Sequence, residues 1–565
     1  MRSVSGMTWK IVSIPERLII KKQQDFNISY LLSKILLDKK YSNEEVHISL
    51  NKEQVHNINY HNEDFVNAGN IFFECIKNNK KILIFGDYDV DGYSSTYLLY
   101  DYITNLKVKC DIYIPDRFKD GYGPNKNLLN KLIDKNKYSL VFFVDCASNS
   151  LKEISYLEEI GLKTIIIDHH QIYKKINFNN TVIINPLKNF NKNEYSYFCA
   201  TALVYFFLKY LNENSKKKIK IDNSKYLFFS AVATICDQMP LRNLNKKIVI
   251  NGLKNFNINN FSNFKKILKL KNKISSTDIG FILGPLLNSS SRLGYPDLPI
   301  KLLIEKNNNN IIKVSEKLLN LNKKRKNIQS ETFKLLNIKS KILKNEIVFK
   351  YEPNINEGLL GIIASNFVEL YGKPSFVLTK SNNYIKCSSR SIYGFDIGGL
   401  FFEALNKKII LKGGGHSMAG GCLLEINKIN EFKNFLNGKF KKNLKNLETH
   451  KYYISEQSFE SLRYFAKYDL QKLEPFGNNN LNPNFLIKKN KIIKCKILKN
   501  LHMQLLVKNN LKKTYLCFVF NAVGTKLGDI LMNYKKDIDL IVQINNKIIQ
   551  KSSYFNLIIK DAITW

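Results

Sequence analysis

The sequence predicts an α/β protein, with a parallel-sheet domain, a helical connector, a second α/β unit and a C-terminal β-barrel. Three observations lead there. Between Lys80 and about Leu241, apolar runs of strand length alternate with helical stretches: Ile82–Phe85, Asp111–Ile114, Leu140–Val144, Thr164–Ile167 and Val182–Ile184. Such runs, separated by helices, read as βαβ units. Acidic residues follow directly on three of them, and ligands of parallel sheets bind at the carboxyl ends of the strands. From about Ser455 onward, apolar and polar positions alternate in short strand-like runs, which suits a small barrel.

Taken in order, residues 1–64 are a mixed, polar N-terminal extension with little visible chemistry. Residues 65–241 hold the five strand runs. They end on Ser230-Ala231-Val232-Ala233-Thr234-Ile235-Cys236-Asp237, small and apolar enough for a buried helix. Residues 242–344 carry Lys, Leu, Ile and Asn at helical spacing, with a long helix predicted across Ile311–Ile342. Residues 345–447 form the second unit, with the glycine cluster Gly413-Gly414-Gly415-His416. Residues 448–565 are the barrel.

Composition narrows the class. A chain of 565 residues exceeds one hydrophobic core. No apolar run reaches the length of a membrane span, and Met1-Arg2-Ser3-Val4-Ser5-Gly6 lacks the apolar core of a signal peptide. The expectation is a soluble, cytoplasmic monomer. The nine cysteines are scattered without a CxxC pair, so zinc and disulfide frameworks are not indicated. The net charge of +39 invites a nucleic-acid partner. Lys, Asn and Ile are all inflated, however, so much of the lysine excess reads as coding bias. Arginines are few, and one inside a motif tells more than any lysine.

The chemistry concentrates in acids at strand ends. Ile82–Phe85 runs into Gly86-Asp87-Tyr88-Asp89-Val90-Asp91-Gly92, with a carboxylate at every second residue. Carboxylates crowded on one face repel unless a cation sits between them. Asp145 follows Leu140–Val144, and Asp168-His169-His170 follows Thr164–Ile167. With Asp237 these make a pool of oxygen and imidazole ligands that suits Mn²⁺ or Mg²⁺ better than zinc. Any one alone is weak evidence. An Asp after a strand is more often a cap or turn residue, and a lone His a hydrogen-bonding one. Four such segments in one βαβ region point to a metal-dependent hydrolase.

These segments, with Val144-Asp145 and Ala233–Asp237, resemble the successive motifs of the DHH phosphoesterase superfamily, and Gly413–Gly421 resembles its DHH-associated domain. Further motifs resemble its single-strand-specific exonuclease branch. They are Tyr113–Gly123 with Arg117, Gly284–Gly294 with Asn288 and Arg292, Ser388-Ser389-Arg390, and Pro475-Phe476-Gly477 opening an OB-fold. The resemblance implies a 5′→3′ exonuclease releasing 5′-mononucleotides from single-stranded DNA by two-metal hydrolysis, in repair and recombination. Two Mn²⁺ or Mg²⁺ ions would be held by Asp87, Asp89, Asp91, Asp145, Asp168, His169 and Asp237, with Asp145 bridging. Asp145, Asp168, His169 and His170 would be catalytic, His170 acting on substrate or metal. Arg390 and Ser388 would take the terminal phosphate, and Arg117, Asn288 and Arg292 the scissile or adjacent phosphates. Gly414, Gly415 and His416 would let a nucleotide pack closely. A single-strand-binding protein and a helicase are the implied protein partners.

Phe485, Tyr515 and Phe518 are candidate base stackers, though core positions are the favoured reading for each. Two departures from the family pattern stand out. Ile355-Asn356 replaces a usual Trp-His, and Cys146-Ala147-Ser148 replaces a glycine-containing turn. The competing readings are a nanoRNase-type phosphodiesterase, a manganese pyrophosphatase and a non-catalytic single-strand-binding relative. The length of the chain and its intact acidic motifs count against them.

Overall fold

The computed structural model describes residues 3–50, 60–77, 81–172, 178–188, 197–216, 218–268, 273–338, 346–444, 450–534, 536–549 and 552–564. The chain divides into two compact units. One is Asn57–Met239 with Lys247–Leu447; the other is Met1–His56, Pro240–Lys246 and Glu448–Trp565.

The first unit is built on five parallel strands: β1 (Lys81–Phe85), β2 (Cys110–Tyr113), β3 (Tyr138–Val144), β4 (Lys163–Ile167) and β5 (Thr181–Ile184). Each contains or overlaps one predicted apolar run. Leu140–Val144 of β3 is fully buried on both faces, as a near-continuous apolar run in a parallel sheet should be. The order is β2-β1-β3-β4-β5. In this winding the chain reverses direction of travel between β1 and β3, and the crevice beyond their carboxyl ends is where such sheets bind ligands. Asp87–Asp91 and Asp145 lie there.

Helix α1 (Val90–Asn105) starts at once after β1. The Asp89 side chain caps it, accepting from the backbone N–H of Asp91 at 2.9 Å and of Gly92 at 3.1 Å. Gly92 is required by close passage, because a Cβ there would lie 2.4 Å from the Asp87 carbonyl oxygen. Helices α2 (Ala200–Asn214) and α3 (Asn223–Cys236) pack on α1, and α3 delivers Asp237 as its C-cap. The connector holds a π-helical turn at Ile279–Leu283, then α4 (Gly284–Ser291) and the long α5 (Asn308–Ile338). The end of the long helix predicted to Ile342 falls outside the described residues.

The second sheet has five strands: β6 (Val348–Tyr351), β7 (Ser375–Ser381), β8 (Tyr384–Arg390), β9 (Lys412–His416) and β10 (Ala419–Glu425), ordered β9-β10-β8-β7-β6. Helix α6 (Leu360–Tyr371) buries Leu360, Ile363, Ala364 and Phe367 against Val348 and Val377 of this sheet and Leu336 of α5.

In the other unit, strands Phe485–Leu498, His502–Lys508, Thr514–Val519, Ile538–Ile549 and Ser552–Thr564 close a barrel. Phe485 and Tyr515 are core residues, and Phe518 is half-buried. The N-terminal residues, chemically featureless in sequence, join this core. Thr8–Ile11 pairs in parallel with His450–Tyr453, and Leu32, Ile35, Leu36 and Val46 pack with Leu470, Leu473, Phe485 and Leu505. Asp561, 1% exposed, ties the two ends of the chain together. It accepts from Ser3 Oγ at 2.6 Å, Trp9 Nε1 at 2.8 Å, Ser5 N at 3.3 Å and Ser5 Oγ. Asp561→Ala orphans several buried donors and is expected to lower this unit's stability by roughly 3 kcal/mol. Urea unfolding followed by tryptophan fluorescence measures it. A loss below about 1 kcal/mol would show that the clamp is not structural. Among the described residues no helix is long and apolar enough to cross a membrane.

Candidate metal centre

Four segments converge beyond the carboxyl ends of β1, β3 and β4. Asp87, Asp91, Asp145, Asp168 and His169 are each buried, while Asp89, His170 and Asp237 are part-exposed. Ligand atoms fall into three overlapping groups, each within 4.8 Å: Asp87 with Asp89 and Asp145, Asp91 with His169 and Asp237, and Asp145 with His169 and His170. His169 Nε2 lies 3.3 Å from Asp145 Oδ1, 3.3 Å from Asp237 Oδ2 and 3.7 Å from Asp91 Oδ2.

Two of the acids are held from behind. Asp91 sits on the N-terminus of α2, accepting from Ala200 N at 2.7 Å, Thr201 N at 2.8 Å and Thr201 Oγ1 at 2.6 Å. The helix dipole favours its charge. Asp168 stands apart from the three groups because both its oxygens are already engaged. Oδ1 accepts from His169 N at 2.8 Å, His170 N at 3.2 Å and His170 Nδ1 at 2.7 Å, and Oδ2 accepts from Ser148 N at 3.1 Å. It fixes the His170 imidazole and the backbone of His169 rather than meeting them across the cluster, and His170 Nδ1 is thereby the protonated nitrogen. His170, placed in sequence between a substrate and a metal role, lies in one of the ligand groups.

The electrostatics require a cation. Burial, and then Asp89 nearby, push the Asp87 carboxyl up to about 8. Burial, only partly offset by its bonds to Thr201 and Ala200, pushes Asp91 to about 6. Asp145 and Asp237 are raised well above the usual carboxylate range by burial and by Asp91 and Asp89. Burial and the neighbouring His170 hold His169 down to about 3, leaving a neutral imidazole with a free lone pair. Burial opposes charge on His170 as well, but Asp168 outweighs it and holds that ring up at about 10. Asp87 Oδ1 and Asp145 Oδ1 are buried without a hydrogen-bond donor. Unpaired carboxylate oxygens and one neutral imidazole, crowded at these distances, fit divalent cations with oxygen and nitrogen ligands.

The turn after β3 shows how the missing glycine is accommodated. Asp145 adopts φ 62° and Ala147 φ 79°, left-handed conformations that L side chains resist. Ala147→Gly is expected to stabilise the protein by about 1 kcal/mol, read as a higher urea midpoint at unchanged slope. An unchanged or lower midpoint would show the turn to be unstrained.

Around this centre lies a cationic rim. Arg117 stacks over the Tyr88 ring at 4.3 Å. Arg292 Nη1 donates to the Gly358 carbonyl at 2.6 Å, and Arg390 Nη1 to that of Ser389 at 2.8 Å. Burial, then Arg117, Arg390 and Arg325, bring Arg292 down to about 9, so these four guanidinium groups share one neighbourhood. Asn356 is the N-cap of the turn Glu357–Leu359, its Oδ1 accepting from Gly358 N at 2.9 Å, so the residue replacing the usual His shapes the backbone that holds Arg292. Asn288 Oδ1 is buried without a partner. The Gly413–His416 segment is a strand, not a loop: Gly414 pairs with Gly421 and Gly415 with Gly420. It brings His416 over His170, ring centroids 5.9 Å apart at 24°. Two contributors escaped the sequence reading. Tyr122 Oη lies 3.3 Å from His170 Nδ1 and donates to the Asp145 carbonyl at 3.2 Å. Arg325 is the other, although one arginine amid Lys323, Lys324 and Lys326 was a signal.

Comparison with known proteins gives a consistent picture. Residues 81–234 match the N-terminal domain of the DHH family, 344–442 the DHHA1 domain and 456–561 the RecJ OB domain. The parallel-sheet domain is thus a DHH-family N-terminal domain. The single-stranded-DNA-specific exonuclease RecJ of Bacillus subtilis (strain 168) is 27% identical over 432 residues, covering 73% of this chain and 52% of that protein. RecJ of Escherichia coli (strain K12) is 26% identical over 388 residues, covering 65% of this chain and 67% of that protein. The chain thus spans about half the length of its Bacillus relative. The crystal structure of RecJ from Thermus thermophilus in complex with Mn²⁺ superposes with a TM-score of 0.80 at 18% identity, covering 99% of this chain and 79% of that one. The same protein was solved with Mg²⁺. This likeness supports the fold described above, barrel included.

Proposed function

We propose that this chain is a metal-dependent 5′→3′ exonuclease that hydrolyses single-stranded DNA to 5′-mononucleotides. The observation that carries the proposal is one unit holding both halves of a phosphodiesterase: a buried carboxylate–imidazole cluster and, around it, a group of neighbouring arginines. The relatives named as single-stranded-DNA-specific exonucleases supply the substrate class.

When bound, two divalent ions, Mn²⁺ or Mg²⁺, supply Lewis acidity to activate water and neutralise charge developing on the phosphoryl group. Asp87, Asp89, Asp91, Asp145, His169 and Asp237 hold them, Asp145 being shared between two of the ligand groups. Asp168 orients the His170 ring and ties down the His169 backbone. His170 keeps its Nδ1 proton on Asp168 and carries a second proton on Nε2 at neutral pH, where it can donate to a phosphate oxygen. Ser388 and Arg390 flank the first turn of α6 and take the terminal phosphate. Arg117, Asn288 and Arg292 take phosphates nearer the centre, in bidentate charge-assisted bonds. Gly414, Gly415 and His416 present a bare strand against which a nucleotide lies. The barrel binds the following strand. We place the activity in the cytoplasm, with a single-strand-binding protein and a helicase as suppliers of substrate.

The test is release of labelled mononucleotide from a 5′-labelled single strand with Mn²⁺, beside 3′-labelled and duplex controls. Absence of labelled mononucleotide, or equal attack on a blunt duplex, would overturn the reading.

A further inference from the structure

A cavity of about 210 Å³ opens between the end of α3, the π-helical turn, α4, α5 and α6. Its wall carries Arg292, Arg325 and Asn288, with Cys236, Pro285 and Ile362 among the apolar lining. No carboxylate of the described residues lines it. Arg325 is 6% exposed, a depth at which arginine is rarely found without an anion. Its Nη1 donates to Gln329 Oε1 and its Nη2 to Asn322 Oδ1, both at 2.7 Å, and both neutral. Among the described residues its buried Nε has no acceptor and the buried Asn288 Oδ1 has no donor. Two guanidinium groups therefore share a polar hollow that no carboxylate of the described residues lines, Asp89 acting on Arg292 from the metal centre. Leaving buried charge unpaired is unfavourable by several kcal/mol, so the arrangement is understandable only if an anion visits it. Cys236 adjoins Asp237, so the hollow lies beside the metal centre, where phosphate groups are handled.

We propose that this cavity is a phosphate-binding subsite, formed by Arg325 with Arg292 and Asn288 and distinct from the seat at Ser388 and Arg390. Its occupant is a phosphate group, either free orthophosphate or the phosphate of a released mononucleotide. Arg325 holds it through Nε and, once Asn322 or Gln329 yields, through the full guanidinium fork. Asn288 turns its amide N–H₂ toward the anion. The subsite shares Arg292 and Asn288 with the substrate reading above and rests on it to that extent.

The experiment is calorimetric titration of the full-length chain in EDTA, which removes any contribution from divalent metal and needs no nuclease activity. Orthophosphate and thymidine 5′-monophosphate are titrated separately. Arg325→Gln is expected to weaken binding about tenfold or more. Asn288→Asp places an isosteric carboxylate against both arginines, satisfies them and is expected to abolish binding while the fold is retained. Arg325→Lys keeps the charge and is expected to bind with intermediate affinity, which guards against misfolding of the Gln variant. Tighter binding of the nucleotide than of orthophosphate, lost in Arg325→Gln, identifies released product as the occupant; equal binding of both identifies free phosphate. Folded Arg325→Gln and Asn288→Asp proteins that bind both probes as the unmutated chain does would overturn the proposal. So would absence of saturable binding in the unmutated chain. A chain without exonuclease activity that still binds phosphate through Arg325 would separate this result from failure of the proposed function.

Discussion

Asp145→Asn is expected to lower divalent-metal affinity by at least about a hundredfold and, in the metal-free protein, to raise the melting temperature. The two effects have one cause. Asp145 is buried, and Asp91, Asp89, Asp87 and Asp237 all push its carboxyl upward. Asparagine keeps the shape but removes the charge that those neighbours oppose. It also removes the anionic oxygen common to two ligand groups. A ligand replaced by a neutral amide cannot offset the second positive charge of an ion. Hydrolysis should fall by about three orders of magnitude or more, as expected when a group that organises both ions is lost. Calorimetric titration with Mn²⁺ measures the first effect, and thermal melting in EDTA the second. A variant that binds Mn²⁺ normally would remove Asp145 from the ligand set. One that melts lower than the unmutated protein in EDTA would refute the repulsion argument.

The same repulsion has a pH signature. In the folded chain Asp87 is raised to about 8 and Asp91 to about 6, both above the unfolded value near 4. Groups whose folded pKa is raised contribute stability that is fully present below the unfolded pKa and is lost as pH rises through the folded one. The metal-free protein should therefore lose stability between about pH 5 and 8. Each tenfold mismatch is worth about 1.4 kcal/mol. Bound Mn²⁺ should flatten that dependence, because the ion stabilises the charged forms.

What the sequence made legible follows from how local each signal is. β1 to β5 were readable because each is a short run rich in apolar residues, the central strands β1, β3 and β4 buried almost throughout, and needs no partner to be recognised. The acids after Phe85, Val144 and Ile167 were readable for the same reason, since a strand end is a local event. Asp168 shows the limit. Its motif places it with the ligands, but four donors from the Ser148, His169 and His170 positions occupy it, and that depends on how two loops fold back. Residues 3–50 show another. Their apolar face on Leu32, Ile35 and Leu36 meets Leu470 and Phe485 more than 400 residues away, a pairing that no periodicity reveals. Arg325 needed the fold as well, because burial, more than its being an arginine among lysines, marks it out.

Arg390→Gln is expected to remove the preference for a 5′-phosphorylated end and to lower kcat/KM on such strands by about 10- to 150-fold. The range follows from the strength of charged hydrogen bonds, about 1.5–3 kcal/mol each. Arg390 Nη1 is spent on the Ser389 carbonyl at 2.8 Å, which anchors the guanidinium and leaves its remaining N–H groups for an anion. The first turn of α6 runs past this point at Gly361. A Cβ on Gly361 would lie 3.0 Å from Ser388 Oγ and 3.1 Å from Arg390 Nη2, so only glycine leaves both side chains in place. Gly361→Ala should therefore reproduce part of the Arg390→Gln defect with every charge intact. Arg390→Lys should rescue part of it, since lysine keeps the charge but not the planar fork. Strands bearing 5′-phosphate and 5′-hydroxyl are compared for each variant. If Arg390→Gln still distinguishes the two ends as the unmutated chain does, the terminal phosphate is held elsewhere. If Gly361→Ala weakens attack on both ends alike, the turn of α6 serves stability rather than the phosphate seat.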